Sequence, residues 1–211
     1  MKKLLLLAIT LMWTMMANAQ VTEQREPSSS HEWPSRVGTR RSQMSVQLGY
    51  LLNTEKSKVA GVKSSNNYSG FMAAADYNLN LAGALSVAPG LGLSYSFDNS
   101  DGAKYKEFGL FVPVDFNYRF PVSDALSLSV YAGPTIYYGL ISKDTSTDPS
   151  YNYYDNDNRR LSLEFGGGLW CDIKETVRVK AGYKWGLTNN CKIDGNTEHN
   201  NCLYLSVGYL F

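Results

Sequence analysis

The sequence predicts an all-β protein: eight antiparallel strands in up-and-down order, closed into a transmembrane β-barrel. Three observations lead there. Apolar side chains recur at every second position through eight segments between Ser42 and Phe211, the period of a strand with one apolar and one polar face. Short connections alternate with longer polar ones, as they do in a barrel that turns tightly on one side of a membrane and loops out on the other. Aromatic residues gather at both ends of the apolar faces, as two interfacial girdles require.

The elements follow in order. The chain opens "MKKLLLLAITLMWTMMANAQ": Lys2 and Lys3, an uncharged run from Leu4 to Met16, then Ala17-Asn18-Ala19. That is a basic n-region, an apolar h-region and a small-x-small cleavage site. Residues 1–19 are therefore expected to be a signal peptide, cut after Ala19. The run is too short for a membrane-spanning helix, which takes about 20 residues. Residues 20–41, "QVTEQREPSSSHEWPSRVGTRR", are polar with two prolines and a serine run, and are expected to form a flexible leader. The barrel is expected over 42–211.

Its first strand carries Met44, Val46, Leu48, Tyr50 and Leu52 against Ser45, Gln47 and Gly49. The second carries Phe71, Ala73, Ala75, Tyr77, Leu79 and Leu81 against Gly70, Ala74, Asp76, Asn78 and Asn80. The same alternation runs through "ALSVAPGLGLSYSF", "FGLFVPVDFNYRF", "LSLSVYAGPTIYYGL", "RLSLEFGGGLWCDI", "VRVKAGYKWGL" and "CLYLSVGYLF". Strands of about 10–14 residues match a tilted span of the hydrocarbon core and exceed the usual length in soluble sheets. Tight turns are expected near 82–83, 122–124 and 174–176, and longer loops at 54–67, 99–105, 144–158 and 190–201.

Composition narrows the function classes. Removing Lys2 and Lys3 from 20 basic side chains leaves 18 against 19 acidic, a net charge of −1. A nucleic-acid binder would show a basic surplus, so no nucleic-acid partner is expected. The sequence has no G-x-S-x-G, no phosphate loop and no zinc spacing, so neither a cofactor nor a metal is expected. Its two histidines, His31 and His199, fall in the leader and in a loop. A lipid-modifying activity would need His199 beside Ser206 and a carboxylate such as Glu198. Adjacent Glu and His on a strand point apart, and a non-enzymatic protein is the expectation.

Inward positions hold four acids and four bases: Asp76, Asp115, Glu164 and Asp172 with Arg119, Arg178, Lys180 and Lys184. Unpaired charges in a narrow interior are costly. The expected pairs are Arg119 with Asp115, four residues apart on one face, and Arg178, Lys180 and Lys184 with Glu164 and Asp172. Eight strands leave an interior just filled by side chains, so this set reads as a salt-bridged plug; the alternative is a charged conducting path.

In the loop "KDTSTDPSYNYYDNDNRR", Tyr151, Tyr153 and Tyr154 stand beside Asp155 and Asp157. Tyrosines with short polar residues suit binding surfaces; the carboxylates suit Ca²⁺, but without EF-hand spacing. Cys191 and Cys202 bracket the last loop, and a disulfide there would clamp its base. By parity Cys191 falls with an outward set and Cys202 with an inward one, so the bridge requires one of them to lie beyond the ladder. Cys171 has outward parity, and three cysteines leave at least one thiol over.

The pattern over 42–211, with the ending "YLSVGYLF", resembles the small eight-stranded outer-membrane barrels of the OmpA/OmpX type and the porin-family, PorT-like barrels of Gram-negative bacteria. The resemblance implies residence in the outer membrane with both termini periplasmic, in contact with lipid and lipopolysaccharide. It implies a role in envelope integrity or surface interaction, with a surface ligand or envelope protein as partner. A small pore or a component of an export assembly is the alternative. It also implies that the terminal aromatic strand, through Tyr209 and Phe211, is the signal read by the outer-membrane insertion machinery.

Overall fold

The computed structural model describes residues 43–98, 105–123, 125–144 and 152–211. The signal peptide, the leader and Tyr151 lie outside the described residues. The strands are β1 (Gln43–Val59), β2 (Val62–Ala82), β3 (Leu85–Asp98), β4 (Tyr105–Ser123), β5 (Leu126–Asp144), β6 (Leu161–Ile173), β7 (Val177–Gly186) and β8 (Thr197–Leu210). Each pairs antiparallel with the next, and β8 pairs with β1, closing the barrel. One short helix, α1 (Tyr153–Asn156), lies between β5 and β6.

Side-chain parity sorts the two faces. On β1, Ser45 and Gln47 are buried while Leu48 is 67% exposed; across the ladder Asp76 is buried and Phe71 is 56% exposed. Leucines, valines and aromatics cover the outside of every strand. A contiguous apolar belt of this kind is untenable in water and marks a surface that faces lipid. Aromatic rings mark its two ends. Tyr50, Phe71, Phe97 and Tyr95 pack in sequence around one rim, with centroids 5.7 to 6.0 Å apart. Tyr118 packs on Phe120 and Tyr209 on Phe211 at the other rim.

The interior cluster comprises Leu51, Met72, Ala74, Ala88, Phe111, Tyr131, Trp170, Cys202 and Tyr204. Large rings fit because glycines lie beside them on nearby strands. A methyl on Gly92 would lie 2.2 Å from the Phe111 ring, and one on Gly182 would lie 1.9 Å from the Tyr131 hydroxyl.

Two expected loops are instead strand. Residues 54–67 continue β1 and β2 well above the membrane band, paired from Thr54↔Asn67 to Val59↔Val62. The turn between them places Ala60 and Gly61 at φ +49° and +86°, the doubly left-handed backbone that matches strand twist. Both faces of this extension are polar, so its sequence lacks the alternation that marks a strand. It is held by bonds such as Ser57–Ser64 at 2.6 Å and Tyr68 Oη to Glu55 at 3.1 Å. Likewise β8 begins at Thr197, inside the expected 190–201 loop. Strand lengths therefore run from 10 to 21 residues, beyond the expected range.

Candidate functional site

The site is the bore, with an ionic floor and a capped mouth. On the floor, register places Arg178 of β7 opposite Asp172 of β6. Its Nε donates to Asp172 Oδ1 at 2.7 Å and its Nη2 to Oδ2 at 3.2 Å, while Nη1 crosses the bore to Asp76 at 3.3 Å. Trp170 lies under the guanidinium, 4.1 Å from Cζ. Gln47 donates to the other Asp76 oxygen, and Ser206 donates to Gln47 at 2.8 Å. Above this, Lys180 Nζ donates to Asp115 at 2.5 Å, with the Tyr131 ring 4.3 Å away. Next, Lys184 stands 3.7 Å from Glu164 and 4.5 Å from the Phe111 ring. The side chains of Arg178 and Asp172 are each only 1% exposed, so charge-assisted bonds must replace lost hydration.

The pairing differs from the expectation for two bases: Arg119, and Lys180, which takes Asp115 rather than Glu164 or Asp172. Arg119 does not meet Asp115; it pairs with Glu175 at 3.5 Å and is a quarter exposed. Arg119 lies near the end of β4, within reach of the β6–β7 turn, and Asp115 takes Lys180 from across the bore instead. The other seven charges face inward as parity requires. The rings over the ammonium groups, Tyr131, Trp170, Phe111 and Tyr204, also have inward parity, a signal the charges alone did not use.

The mouth turns on Glu107, which is buried and was not among the expected residues. It accepts hydrogen bonds from Tyr105 at 2.9 Å, from Tyr137 at 2.7 Å and from Tyr154. Glu107 shares parity with Asp115 on β4; extending that strand one residue toward the N-terminus reveals it. Tyr154 arrives from α1, whose N-cap Asn152 accepts from Ser142 N at 3.0 Å and from Tyr154 N at 3.3 Å. Gly139 makes room for the ring: a Cβ there would sit 2.0 Å from Tyr154 Cζ.

Of the expected loop contacts, Tyr154 is thus buried in the mouth rather than displayed. Tyr153 and Asp157 are half-buried, and Asp155 is exposed and paired with Arg160. The β5–β6 and β7–β8 connections are stitched together. Asn158 bridges Cys191, and Lys192 Nζ donates to the Tyr154 carbonyl at 2.9 Å. Asn158 Nδ2 donates to Glu198 at 3.2 Å. Between floor and cap lies a cavity of about 50 Å³ that borders Asn53, Ser96, Glu107, Glu164 and Lys184, room for about four waters.

Two carboxyls at the extracellular end, beyond the aromatic rim, are perturbed. Burial pushes Glu198 up to about 8, helped by the negative charges of Glu55, Glu107 and Asp157 and opposed by the Asn158 bond. Burial likewise raises Glu55, against its bond from Tyr68.

The expected disulfide is absent. Cys171, Cys191 and Cys202 are all free thiols. Cys202 keeps inward parity opposite Lys184, while Cys191 lies in the β7–β8 connection against Asn158.

A closed antiparallel ring with an apolar exterior, aromatic rims and a polar interior defines a membrane-spanning β-barrel. The chain belongs to the family of the outer membrane protein β-barrel domain, whose model matches residues 7–211, and it resides in the outer membrane of a Gram-negative bacterium. Among solved structures it is similar to Ail, the attachment invasion locus protein of Yersinia pestis, in complex with the heparin analogue sucrose octasulfate: 18% identity, TM-score 0.47, 81% of this chain and 99% of that one. It is similar to Neisserial surface protein A, with 14% identity, TM-score 0.49, and 79% and 96% covered. It is also similar to the outer membrane enzyme PagL, with 11% identity, TM-score 0.44, and 75% and 97% covered. At such identities and scores none of these likenesses bears on ligand or activity. A search among curated proteins finds no match.

Proposed function

We propose that the protein is a non-enzymatic outer-membrane barrel with a closed, salt-bridged lumen, acting in envelope integrity or surface interaction through its extracellular side. The observation that carries this reading is the pair of bonds thrown across the bore, Arg178–Asp76 and Lys180–Asp115. Between them and the Glu107 cap, the interior holds water-sized spaces rather than a passage. Purified protein in planar bilayers is expected to give no stable conductance. A large, ion-selective conductance would replace the closed reading with the pore or export-assembly one.

The placement of His199 and Ser206 favours a non-enzymatic role. They lie on opposite faces of β8, His199 in register with Lys56 and Ser206 buried in the lumen beside Gln47. Lipid A from cells with and without the protein is expected to give the same mass profile.

The same reading assigns the ending of β8 to recognition by the insertion machinery. Phe211 is 69% exposed, packed on Tyr209 and tied through its backbone N–H to Met44 O at 2.9 Å.

A further inference from the structure

The β1–β2 hairpin ends on an apolar tip. Residues 56–63 read "KSKVAGVK", with three lysines and no acid. Val59 and Val62 are the last pair of the ladder, 52% and 71% exposed, and Lys58 stands directly opposite Lys63 one step below them. The turn itself is Ala60-Gly61, with Ala60 at φ +49°. Three features of this tip are unfavourable in water. A two-residue turn of this kind favours Asn or Asp where Ala60 stands. Paired valines at the end of a hairpin leave apolar surface wet. Like charges facing each other across a ladder repel. The tip is nevertheless held in place. β1 is paired on both sides up to Lys58, with β2 on one side and Thr197 of β8 on the other. Ala60 N donates to Asn196 Oδ1 at 3.3 Å, which ties the tip to the turn 193–196. That turn adds the exposed Ile193 and one acid, Asp194. Val59 lies nine residues beyond Tyr50 of the aromatic rim. At ~3.3 Å per residue and a strand tilt of about 45°, the tip stands about 20 Å above that rim.

We propose that this tip docks on an apposed bilayer bearing acidic phospholipid, with Val59 and Val62 at the headgroup–acyl boundary and Lys58 and Lys63 against the anionic headgroups. The proposal rests on the reading of an outer-membrane barrel that works through its extracellular side, and names a partner for that side. One occupant answers the three unfavourable features together. The apolar boundary takes the valines out of water, and the acidic surface turns the repelling lysine pair into two attractions. Ala60-Gly61 leads the tip in with no polar side chain to desolvate. The height of the tip places it beyond the protein's own membrane, so the bilayer it meets is a second one. Bracing by β2, β8 and Asn196 leaves little order to be gained on docking, which lowers the cost of association.

The test uses the full chain in nanodiscs of phosphatidylcholine, mixed with sedimenting vesicles of phosphatidylcholine with or without phosphatidylserine. Empty nanodiscs give the baseline. The pair Val59→Ser, Val62→Ser and the pair Lys58→Gln, Lys63→Gln are compared with wild type and with Lys174→Gln, which lies in the β6–β7 turn at the opposite end of the barrel. Heat-modifiable gel migration checks that each is folded. Wild type and Lys174→Gln are expected to sediment with acidic vesicles and hardly at all with neutral ones. The lysine pair is expected to bind about 25-fold more weakly, at roughly fivefold per lysine. The valine pair is expected to bind about tenfold more weakly with its charge unchanged. If a pair does not fold, Val62→Ser or Lys63→Gln alone gives the same reading, with a loss of about threefold or fivefold. Wild-type affinity in either folded pair overturns the proposal, and so does a wild type that ignores acidic vesicles. Equal wild-type binding to neutral vesicles overturns the choice of acidic lipid. Nanodiscs that associate with one another without vesicles, and stop doing so in the valine pair, assign the tip to a second copy of this chain and overturn the proposal as well. Conductance is read separately, so a failed tip and a failed closed lumen are distinguishable.

Discussion

Arg178 and Arg119 carry the same charge on the same barrel but have different consequences. Arg178 is buried and bonds two aspartates, so Arg178→Met strips Asp76 and Asp172 of a shared cation inside the bore. Removing one partner of a buried ion pair costs about 3–5 kcal/mol. Arg119 meets Glu175 at the solvent edge, and an exposed pair is worth about 0–1 kcal/mol. Urea unfolding in detergent is expected to lower the midpoint strongly for Arg178→Met and hardly at all for Arg119→Met; equal shifts would contradict this ordering. Parity made the inward charges legible in the sequence, and the cross-strand partner of Arg178 with them. Partners across the bore were not legible, because strand register fixes neighbours along the wall and says nothing about what a long side chain meets opposite. That is why Asp115 was matched with Arg119 rather than Lys180.

At the scale of elements, the cap formed by α1 and the stitched connections is tied by one isolated strand bridge, Asn158 to Cys191, and by side-chain bonds. Gly139→Ala puts a methyl where the Tyr154 ring lies. The ring has to leave, and with it one of the bonds to Glu107. Limited proteolysis is expected to cut within 152–160 in this variant before it cuts wild type, with the barrel itself intact. The cap is also expected to respond to pH. Glu198 holds its proton up to about pH 8 in the folded mouth, whereas in an opened mouth it would ionise near 4.5, the usual carboxylate value. The folded mouth therefore binds more protons between those limits, and its stability falls as pH rises through that window. Hydrogen exchange of the β7–β8 connection is expected to be slow at pH 6.5 and faster at pH 9 after correction for intrinsic rates. Glu198→Gln should remove that difference. Neither the cap nor the hairpin was legible as structure. Residues 54–67 are wetted on both faces, so no alternation betrays the strands, and Glu107 hid one residue outside the expected start of its strand.

For the whole molecule, the eight strands and their closure were legible because lipid outside and a filled bore inside impose opposite demands on neighbouring residues. Period two is the trace of that demand. The closing strand carries a prediction of its own. Deleting Phe211 removes an exposed ring and one backbone bond to β1, little against the full β1–β8 ladder, so the inserted barrel should melt nearly as wild type does. Outer-membrane yield in cells is expected to drop much further. A normal yield would remove the signal role from the terminal aromatic.

The bonds across the floor also fix an order of events. Arg178 and Asp76 are 102 residues apart in sequence, and Lys180 and Asp115 are 65 apart. Neither bond belongs to a hairpin, so neither can form while the sheet is an open ribbon. Until the sheet curls, Asp76 and Lys180 lack their cross-bore partners, while Arg178 already has Asp172 beside it in the β6–β7 hairpin. Closure then satisfies them together. Arg178–Asp76 thus latches the closing seam: the finished barrel parts β8 from β1 only by breaking it.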